Sequence, residues 1–434
     1  MLFKDRKRRI LAGIDLSDKN TQISIFNTDQ AAPVTISTVT GKEQFNIPTV
    51  LCKRFGVNQW FYGKEAIKHV ADADGILVEN LVSKALRKEE VLIDKDRYNP
   101  IDLLGLFVKR VLALATSAGE VDKVDGLMIT VEYLNKDVIS VLQKIIPTLG
   151  LPENTVFVQS HMESFFQFMI HQPEELWTQQ VVVFDYSAEV LKSYRLETNR
   201  RTTPVVAFIE EKEFLSMPFE KVPEEESIRG EICSRMDGRF LDVVKEVCED
   251  KIISTCYLLG EGFLGDWCKD SLKLLCRNRR VFQGNNLYSK GACYGLYERL
   301  QPTEKSKRYI YLGQDKIKAN VGMAVYEQGK DVYFPVMDAG MNWYDAKKEW
   351  DMIMDTKEDR NLSFLLTPLN GRDRKEKVIS LANMPERPDG TTRIRVNVEF
   401  TSEAKFTVTV RDMGFGEFFP SSGLEWKEEI TWQE

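Results

Sequence analysis

The sequence predicts a duplicated α/β domain followed by an all-β domain. Two segments, RRILAGIDLSDKNTQISIFN at 8–27 and QQVVVFDYSAEVLKSYRL at 179–196, each combine an apolar strand, an acidic turn and a second alternating strand. Helical periodicity fills much of the interval between them, and beyond about residue 301 only short alternating segments remain. Alternating strands and helices are typical of α/β domains, and short alternating strands are typical of antiparallel sheets. These three observations predict the fold class.

Length and composition limit the classes of protein to which the chain can belong. At 434 residues it is too long for one ordinary core, so two or more domains are expected. A net charge of −7 argues against a general nucleic-acid or membrane-surface role. The seven cysteines form no C-x-x-C pair, and no apolar run reaches transmembrane length. We therefore expect a cytoplasmic protein without membrane insertion or a nucleic-acid partner.

The elements between the two acidic turns belong to the first half of the duplication. YNPIDLLGLFVKRVLALATSAG predicts an amphipathic helix that ends at Gly119, and VDGLMITV predicts a strand buried on both faces. NKDVISVLQKIIPTLGL begins a second helix at the N-cap residue Asn135. Ligands of such folds bind outside the carboxyl ends of the strands, where Asp15 and Asp185 are expected.

The second half is shorter. ISTCYLLGEGFLGDWCKDSLKLLC predicts a buried strand, a turn at Gly260 and Gly262, and a helix. Glycine lets the backbone approach either a flat ligand or a neighbouring element, and both interpretations remain open. The predicted organisation is an α/β domain over 1–300, with lobe I at about 1–180 and lobe II at about 181–300. A polar linker over 301–307 and a β domain over 308–434 complete it.

The β domain is predicted to be a sandwich with one solvated face on each sheet. In TTRIRVNVEF, Ile394, Val396, Val398 and Phe400 alternate with polar residues, which is the pattern of a half-buried antiparallel strand.

Taken in order, these segments resemble the DnaK-type heat-shock chaperone family, which has the actin-like ATPase fold also found in sugar kinases. GIDLSDKN resembles the first phosphate loop of that family, which normally reads Asp-Leu-Gly-Thr-Thr-Asn, and VVVFDYSAEV resembles the second, normally Asp-Leu-Gly-Gly-Gly-Thr. IPTV, YGKEA, LMITVEYL and SKGACYG are similar to further motifs, and LLGEGFLGDW resembles the adenosine loop. LANMPERPDGTTRIRVNVEFTSEAKFTVTVRDMGFGE resembles the last strands of the peptide-binding sandwich.

The resemblance implies a nucleotide site and, with it, ATP or ADP and magnesium as cofactors. It assigns nucleotide binding to loop residues and the metal, through water, to the two aspartates, with Lys84 and Asp185 as the catalytic pair. The nucleotide-binding set comprises Asp15, Ser17, Asp18, Asn20, Asp185, Ser187, Gly260, Gly262 and Phe263, and the metal set comprises Asp15 and Asp185. Turn capping by the aspartates and a surface position for Lys84 are the alternatives.

Departures from the family pattern predict a degenerate site. Ser17 replaces the glycine of the first loop, and Ser187, Ala188 and Glu189 replace the three of the second. Only residues without Cβ let the loop N–H groups reach phosphate oxygens, and Glu189 adds a like charge. The catalytic glutamate of the family aligns with Ser160, and Glu163 lies one helical turn further on.

The expected function is therefore that of a divergent chaperone-like binding or scaffold protein whose nucleotide binding is weak or absent. An active magnesium-dependent ATPase and a filament-forming protein of the same fold remain the alternatives. The sequence ends at EEITWQE, so no helical lid is expected after the sandwich.

A protein or peptide partner is expected to bind the sandwich. The run DVYFPVMDAGMNWYDAKKEW places Phe334, Met337, Trp343 and Tyr344 where the family cradles its substrate. Such side chains carry binding hot spots, but they also fill cores, and their exposure decides between the two roles.

Overall fold

The computed structural model describes residues 9–29, 32–39, 41–93, 95–187, 189–223, 225–284, 286–327, 329–354, 360–369 and 374–431. Two compact units divide the chain, Met1–Ile310 and Tyr311–Glu434. The first is a mixed α/β unit with several sheets, and the second is rich in β-strands. In the described part of the chain, no helix combines the length and the apolar character needed to cross a membrane.

The strands up to the boundary between the units are β1 (Ile10–Leu16), β2 (Asn20–Asn27), β3 (Val34–Thr35), β4 (Ile47–Pro48), β5 (Leu51–Arg54), β6 (Trp60–Tyr62), β7 (Gly75–Val78), β8 (Val91–Ile93), β9 (Asp96–Tyr98), β10 (Gly126–Val131), β11 (Val156–Ser160), β12 (Gln180–Asp185), β13 (Val190–Asn199), β14 (Val205–Pro218), β15 (Ile253–Leu259), β16 (Arg280–Gln283) and β17 (Tyr309–Tyr311). The helices are α1 (Gly63–Ala71), α2 (Leu81–Arg87), α3 (Pro100–Gly119), α4 (Lys136–Ile145), α5 (His161–Ile170), α6 (Glu226–Cys248), α7 (Lys269–Leu275), α8 (Leu287–Leu300) and α9 (Glu304–Arg308).

Two sheets of the first unit repeat one arrangement. The first has the order β11-β10-β1-β2-β3, with β4 also paired to β2, and the second has the order β16-β15-β12-β13-β14-β17. In each, a central strand forms an antiparallel hairpin with the next strand and a parallel pair with a later one: β1 with β2 and β10, and β12 with β13 and β15. The predicted acidic turns, at Asp15 and Asp185, thus end equivalent central strands.

Local sequence explains the helices around these sheets. Asn99 and Asn135 cap α3 and α4, because their side chains accept hydrogen bonds from the N–H groups of Ile101 and Val138. The apolar segment Gly126–Val131 forms β10, which is buried along its whole length.

Helix α8 packs directly on the first sheet. Its residues Ala292, Cys293 and Leu296 share a core cluster with Leu11 and Met128. At Gly13 in β1 a Cβ atom would lie 2.4 Å from the Ser289 carbonyl oxygen, so only glycine allows this close approach. The packing brings the first turn of α8, and with it Tyr288, to the end of β1.

The region predicted as a linker, 301–307, is partly helical. Thr303 accepts a hydrogen bond from the Lys305 N–H and caps α9, while Glu298 accepts hydrogen bonds from the N–H and hydroxyl of Thr303. These contacts order a polar stretch that lacks any apolar periodicity.

The second unit contains β18 (Ala319–Glu327), β19 (Lys330–Met337), β20 (Lys347–Met354), β21 (Asn361–Pro368), β22 (Lys375–Ser380), β23 (Thr392–Ser402), β24 (Lys405–Asp412) and β25 (Glu425–Thr431). They form two four-stranded antiparallel sheets, β19-β18-β21-β22 and β20-β23-β24-β25. Ile394, Val396, Val398 and Phe400 of β23 are buried, as their alternation predicts, and share one core with residues of the other sheet such as Phe364.

Candidate functional site

A cleft of about 1020 Å³ opens in the first unit at the carboxyl ends of strands from both sheets. Residues at or just after the ends of β1, β10, β11, β12 and β15 line it. Among the predicted site residues, the cleft collects Asp15, Ser17, Asp18, Asn20, Asp185, Ser187 and Gly260. Lys84, Gly262 and Phe263 are not among its lining residues, and Ala188 lies outside the described residues.

Asp15 is engaged by a histidine. Its Oδ1 lies 2.6 Å from Nε2 of His161, the first residue of α5, and both side chains are largely buried. The His161 ring stacks on the ring of Tyr288, with 4.0 Å between centroids and 7° between planes.

Asp185 is engaged by hydroxyl groups. The Tyr288 hydroxyl donates to its Oδ2 at 2.8 Å, and the N–H and hydroxyl of Ser187 donate to its Oδ1. The two aspartates are therefore connected through His161 and Tyr288, and these contacts occupy oxygens that the resemblance assigns to a magnesium ion.

Negative charge surrounds His161. Burial lowers its pKa, but the carboxylates of Asp15, Asp185 and Glu132 outweigh burial and hold the pKa above its ordinary value. When it is protonated, the imidazole neutralises part of the negative charge beside Asp15 that a bound cation would otherwise balance.

The remaining residues of the first loop are also hydrogen-bonded. The Asp18 carboxylate accepts hydrogen bonds from the N–H groups of Val82 and Ser83 at the start of α2. The hydroxyl of Ser17 donates to the Asn20 carbonyl oxygen at 2.7 Å. Ser17 therefore closes the turn locally, while Asp18 connects the turn to α2.

Glu261 connects the two lobes across the mouth of the cleft. It follows β15 and accepts hydrogen bonds from the side-chain amides of Asn20 and Asn46 in lobe I. Its other carboxylate oxygen lies 3.0 Å from Nζ of Lys19.

A second connection lies deeper. Nζ of Lys192 on β13 lies 2.6 Å from the Glu132 carboxylate of lobe I and donates to the Tyr133 hydroxyl at 3.0 Å. Burial lowers the pKa of Lys192, but hydrogen bonds to Glu132 and Tyr133 outweigh burial and raise the pKa above its ordinary value. The chain's own side chains therefore bridge the lobes at both levels.

Lys84 takes no part in this network. Its ammonium lies 2.9 Å from the Glu89 carboxylate, although its neighbours Val82 and Ser83 line the cleft. Glu163, the possible substitute for the catalytic glutamate, is buried in α5 and is not among the residues that line the cleft.

The predicted adenosine loop packs against an internal aromatic ring. A Cβ atom at Gly262 would lie 2.1 Å from Cδ1 of Tyr186, and Phe263 is fully buried in the same core cluster as Tyr186. The Gly262 carbonyl oxygen also accepts a hydrogen bond from Nε1 of Trp267 at 2.9 Å. Of the two interpretations of these glycines, close packing against a neighbouring element is the one observed.

Negative charge dominates the cleft. Its lining includes the carboxylates Asp15, Asp18, Glu79, Glu132, Asp185, Glu189 and Glu261, but only two amines, Lys19 and Lys192. Within the described residues, no group of three or more His, Cys, Asp or Glu side chains is arranged to hold a metal ion.

The aromatic run of the second unit is divided between core and surface. Met337 is buried, while Phe334 and Trp343 are partly buried and pack against the sandwich core. Tyr344 is half-buried and lies edge-on to Trp343, with 5.5 Å between ring centroids. The exposed members of the run include Tyr333 and Met341.

Sequence reasoning missed His161, Tyr288, Tyr186 and Glu261. His161 directly follows β11, which ends at the same sheet edge as Asp15, and its position after a short apolar segment was the available signal. Tyr186 and Tyr288 gave no comparable signal, because the sequence does not indicate which neighbours an aromatic ring will meet.

Two family models match the chain. The model described as "Family of unknown function (DUF5716) C-terminal" matches residues 32–314, and the model described as "Domain of unknown function (DUF8552)" matches residues 316–432. No curated protein gives a significant match. Because the first match covers more than half of the chain, the chain belongs to the family of unknown function DUF5716.

Proposed function

We propose that this DUF5716 member is a binding or scaffold protein with an actin-like ATPase fold, divergent from the DnaK-type chaperones. In it, internal contacts replace the contacts to magnesium and nucleotide. The observation that carries the proposal is the connection of Asp15 to Asp185 through His161 and Tyr288.

Three features support this proposal. Both aspartates at the equivalent strand ends have protein partners in place of a cation. Gly262 and Phe263 of the adenosine-type loop pack with Tyr186 and are not among the residues that line the cleft. The excess of carboxylates repels a polyphosphate, and a cation that neutralised it would have to compete with His161 beside Asp15.

The repeated sheet topology and the β-rich second unit support the relationship to the chaperones, because that family combines the same two kinds of domain. The protein or peptide partner is assigned to the second unit, since its residues Tyr333 and Met341 are exposed. Aromatic and methionine side chains suit such contacts.

Calorimetric titration with MgATP tests the proposal. We expect no saturable binding below about 1 mM, because several charge-assisted hydrogen bonds of a phosphate loop are missing. A phosphate-release assay should give no turnover above the buffer blank. Low-micromolar binding that is abolished in Asp15→Ala would refute the proposal in favour of the active ATPase.

A further inference from the structure

Two lysine side chains of the protein, Lys19 and Lys192, already place their ammonium groups in the cleft. Nζ of Lys19 lies 3.0 Å from the Glu261 carboxylate and 4.5 Å from the centroid of the Phe219 ring. Nζ of Lys192 lies 2.6 Å from the Glu132 carboxylate and 5.1 Å from the centroid of the Tyr133 ring. Each ammonium therefore combines an ion pair with a cation–π contact.

Other carboxylates of the same lining form no ion pair among the described residues. Among the residues that the structure describes, Asp18, Glu79, Asp185 and Glu189 have no cationic side chain within ion-pair distance, although all four line the cleft. Glu79 and Glu189 are exposed within it. The cleft thus has a net negative charge even after Lys19, Lys192 and His161 are counted.

A tyrosine side chain without a hydrogen-bond partner lies beside these carboxylates. Tyr194 on β13 is only 4% exposed, lines the cleft, and has no hydrogen-bond partner within the described ranges. In the register of β12 and β13, Tyr194 lies opposite Val183 and Lys192 lies opposite Asp185, so Tyr194 and Asp185 share one face. The Tyr194 hydroxyl is therefore available to a ligand in the cleft.

Two acceptor groups, one on each lobe, favour a ligand that donates hydrogen bonds. Burial, followed by the charge of Asp185, raises the pKa of Tyr194, so the phenol stays neutral and can accept a hydrogen bond. On the opposite lobe Gln22, which pairs with Asp15 in register and is 6% exposed, leaves its Oε1 acceptor without a partner in the described part of the chain.

From these contacts we infer that the cleft binds a small linear polyamine, whose ammonium groups are held by Asp185, Tyr194 and the rim carboxylates Glu79 and Glu189. The inference rests on the proposed function, since it requires a cleft not occupied by nucleotide. A bare metal ion is disfavoured, because the described His, Cys, Asp and Glu side chains form no group suited to one. The carboxylates of the lining, together with the rings of Tyr133 and Phe219, suit alkylammonium groups separated by methylene chains.

The test is calorimetric titration of the full chain with spermidine at low ionic strength. We expect saturable binding with a dissociation constant below about 1 mM, weakened by added salt because charge carries it. Tyr194→Phe removes only the hydroxyl and should weaken binding by about 3- to 10-fold, the range of one hydrogen bond. Asp185→Asn should weaken it about 10-fold or more, because the lost contact is charge-assisted.

Glu153→Gln is the matched control, since Glu153 is an exposed carboxylate outside the cleft lining, and binding should be unchanged. Thermal unfolding of each variant establishes that it is folded. If Asp185→Asn fails to fold, Tyr194→Phe decides the result.

The inference is overturned if the wild type shows no saturable spermidine binding. It is also overturned if Tyr194→Phe and Asp185→Asn bind as the wild type does, because the amine would then lie elsewhere on the acidic surface. If magnesium chloride displaced spermidine equally well at the same concentration of positive charge, the cleft would be a metal site instead. Tighter binding of a Gly-Lys-Lys-Gly peptide would assign the ammonium groups to a protein partner.

A parallel MgATP titration separates the two proposals. Low-micromolar ATP affinity together with absent spermidine binding refutes both. Absence of both ligands leaves the scaffold proposal in place and overturns the polyamine inference.

Discussion

Asp15 and His161 form a hydrogen bond of 2.6 Å although 146 residues separate them in sequence. The pair joins the end of β1 to the start of α5, and through Tyr288 it reaches Asp185 on the second sheet. The His161 imidazole thus lies where the resemblance predicts a hydrated metal ion. The first prediction follows from its raised pKa.

Replacement of His161 by glutamine should destabilise the chain more at pH 6 than at pH 9. The folded-state pKa of His161 is raised, so its pairing with Asp15, Asp185 and Glu132 stabilises the fold fully below the unfolded pKa of about 6.5. That contribution is lost as the pH rises through the folded-state pKa. We expect a loss of about 3 kcal/mol at pH 6, as for one partner of a buried ion pair.

Urea unfolding of the wild type and His161→Gln at both pH values measures this difference. His69→Gln is the control, since His69 lies 3.0 Å from Asp74 in a more exposed pair, and its effect should be smaller. A difference between wild type and His161→Gln that does not change with pH would show that folding leaves the pKa of His161 unshifted.

The second prediction concerns the contact between Gly262 and Tyr186. Gly262→Ala should destabilise the first unit by about 2–4 kcal/mol, because the new Cβ would overlap the buried Tyr186 ring. The double variant with Tyr186→Leu should lose less than the sum of the two single variants, since leucine leaves room for the methyl group.

A complete double-mutant cycle by chemical denaturation gives the coupling. Gly238→Ala is the control, because Gly238 is helical and a Cβ there would meet no atom within 4 Å. If Gly262→Ala proved neutral, the loop would have room for a ligand, and the nucleotide-binding interpretation would regain support.

The sequence predicted the features that depend on local pattern. The strand, acidic turn, strand segments at Asp15 and Asp185 and the alternation in β23 all describe neighbours along the chain, and the structure has them. Lys84 was predicted as a site residue only because it aligns with a family residue. Alignment does not determine the direction in which its side chain extends from the short helix α2. The nearby Glu89 carboxylate holds that amine away from the cleft lining.

The internal partners of the aspartates were not predictable in this way. His161 and Tyr288 reach them only because β11 joins the first sheet and α8 packs on β1. The spacing of residues along the sequence does not predict such packing, which depends on the close approach of α8 to β1 at Gly13. The short helix that begins within 301–307 was not predicted for a related reason, since Glu298 and Thr303 order this segment through side-chain hydrogen bonds rather than apolar burial.

The third prediction separates core from surface in the aromatic run of the second unit. Phe334→Ala and Trp343→Ala should destabilise the sandwich by about 2–4 kcal/mol, because both rings pack against its core. Tyr333→Ala and Met341→Ala should change the unfolding free energy little, since both side chains are exposed, but should weaken any binding of an unfolded peptide.

Chemical denaturation and fluorescence anisotropy with a labelled apolar peptide measure the two effects. The assignment of the partner to this surface fails if the wild type binds no peptide, or if peptide binding survives both Tyr333→Ala and Met341→Ala.

The last prediction concerns a buried ion pair that anchors an exposed aromatic loop. Arg387 donates two hydrogen bonds of 2.7 Å to the Asp412 carboxylate, whose pKa is lowered chiefly by Arg387. Asp412 also accepts hydrogen bonds from the N–H groups of Gly414 and Ser422, at either end of a loop in which Phe418 is 92% exposed. Asp412→Asn leaves the Arg387 charge buried without its counter-ion, and we expect a loss of about 3–5 kcal/mol.

Because the same carboxylate holds both ends of the loop, Asp412→Asn should also speed chymotrypsin cleavage near Phe418 under native conditions. Mass spectrometry of the fragments locates the cut, and cleavage elsewhere in the chain should keep its wild-type rate. Asp351→Asn is the control. Asp351 on β20 pairs with Arg395 on β23 in a more exposed position, so its replacement should not change cleavage of the loop. Equal cleavage of wild type and Asp412→Asn would mean that the loop is ordered by its own backbone hydrogen bond between Phe415 and Phe419 rather than by the ion pair.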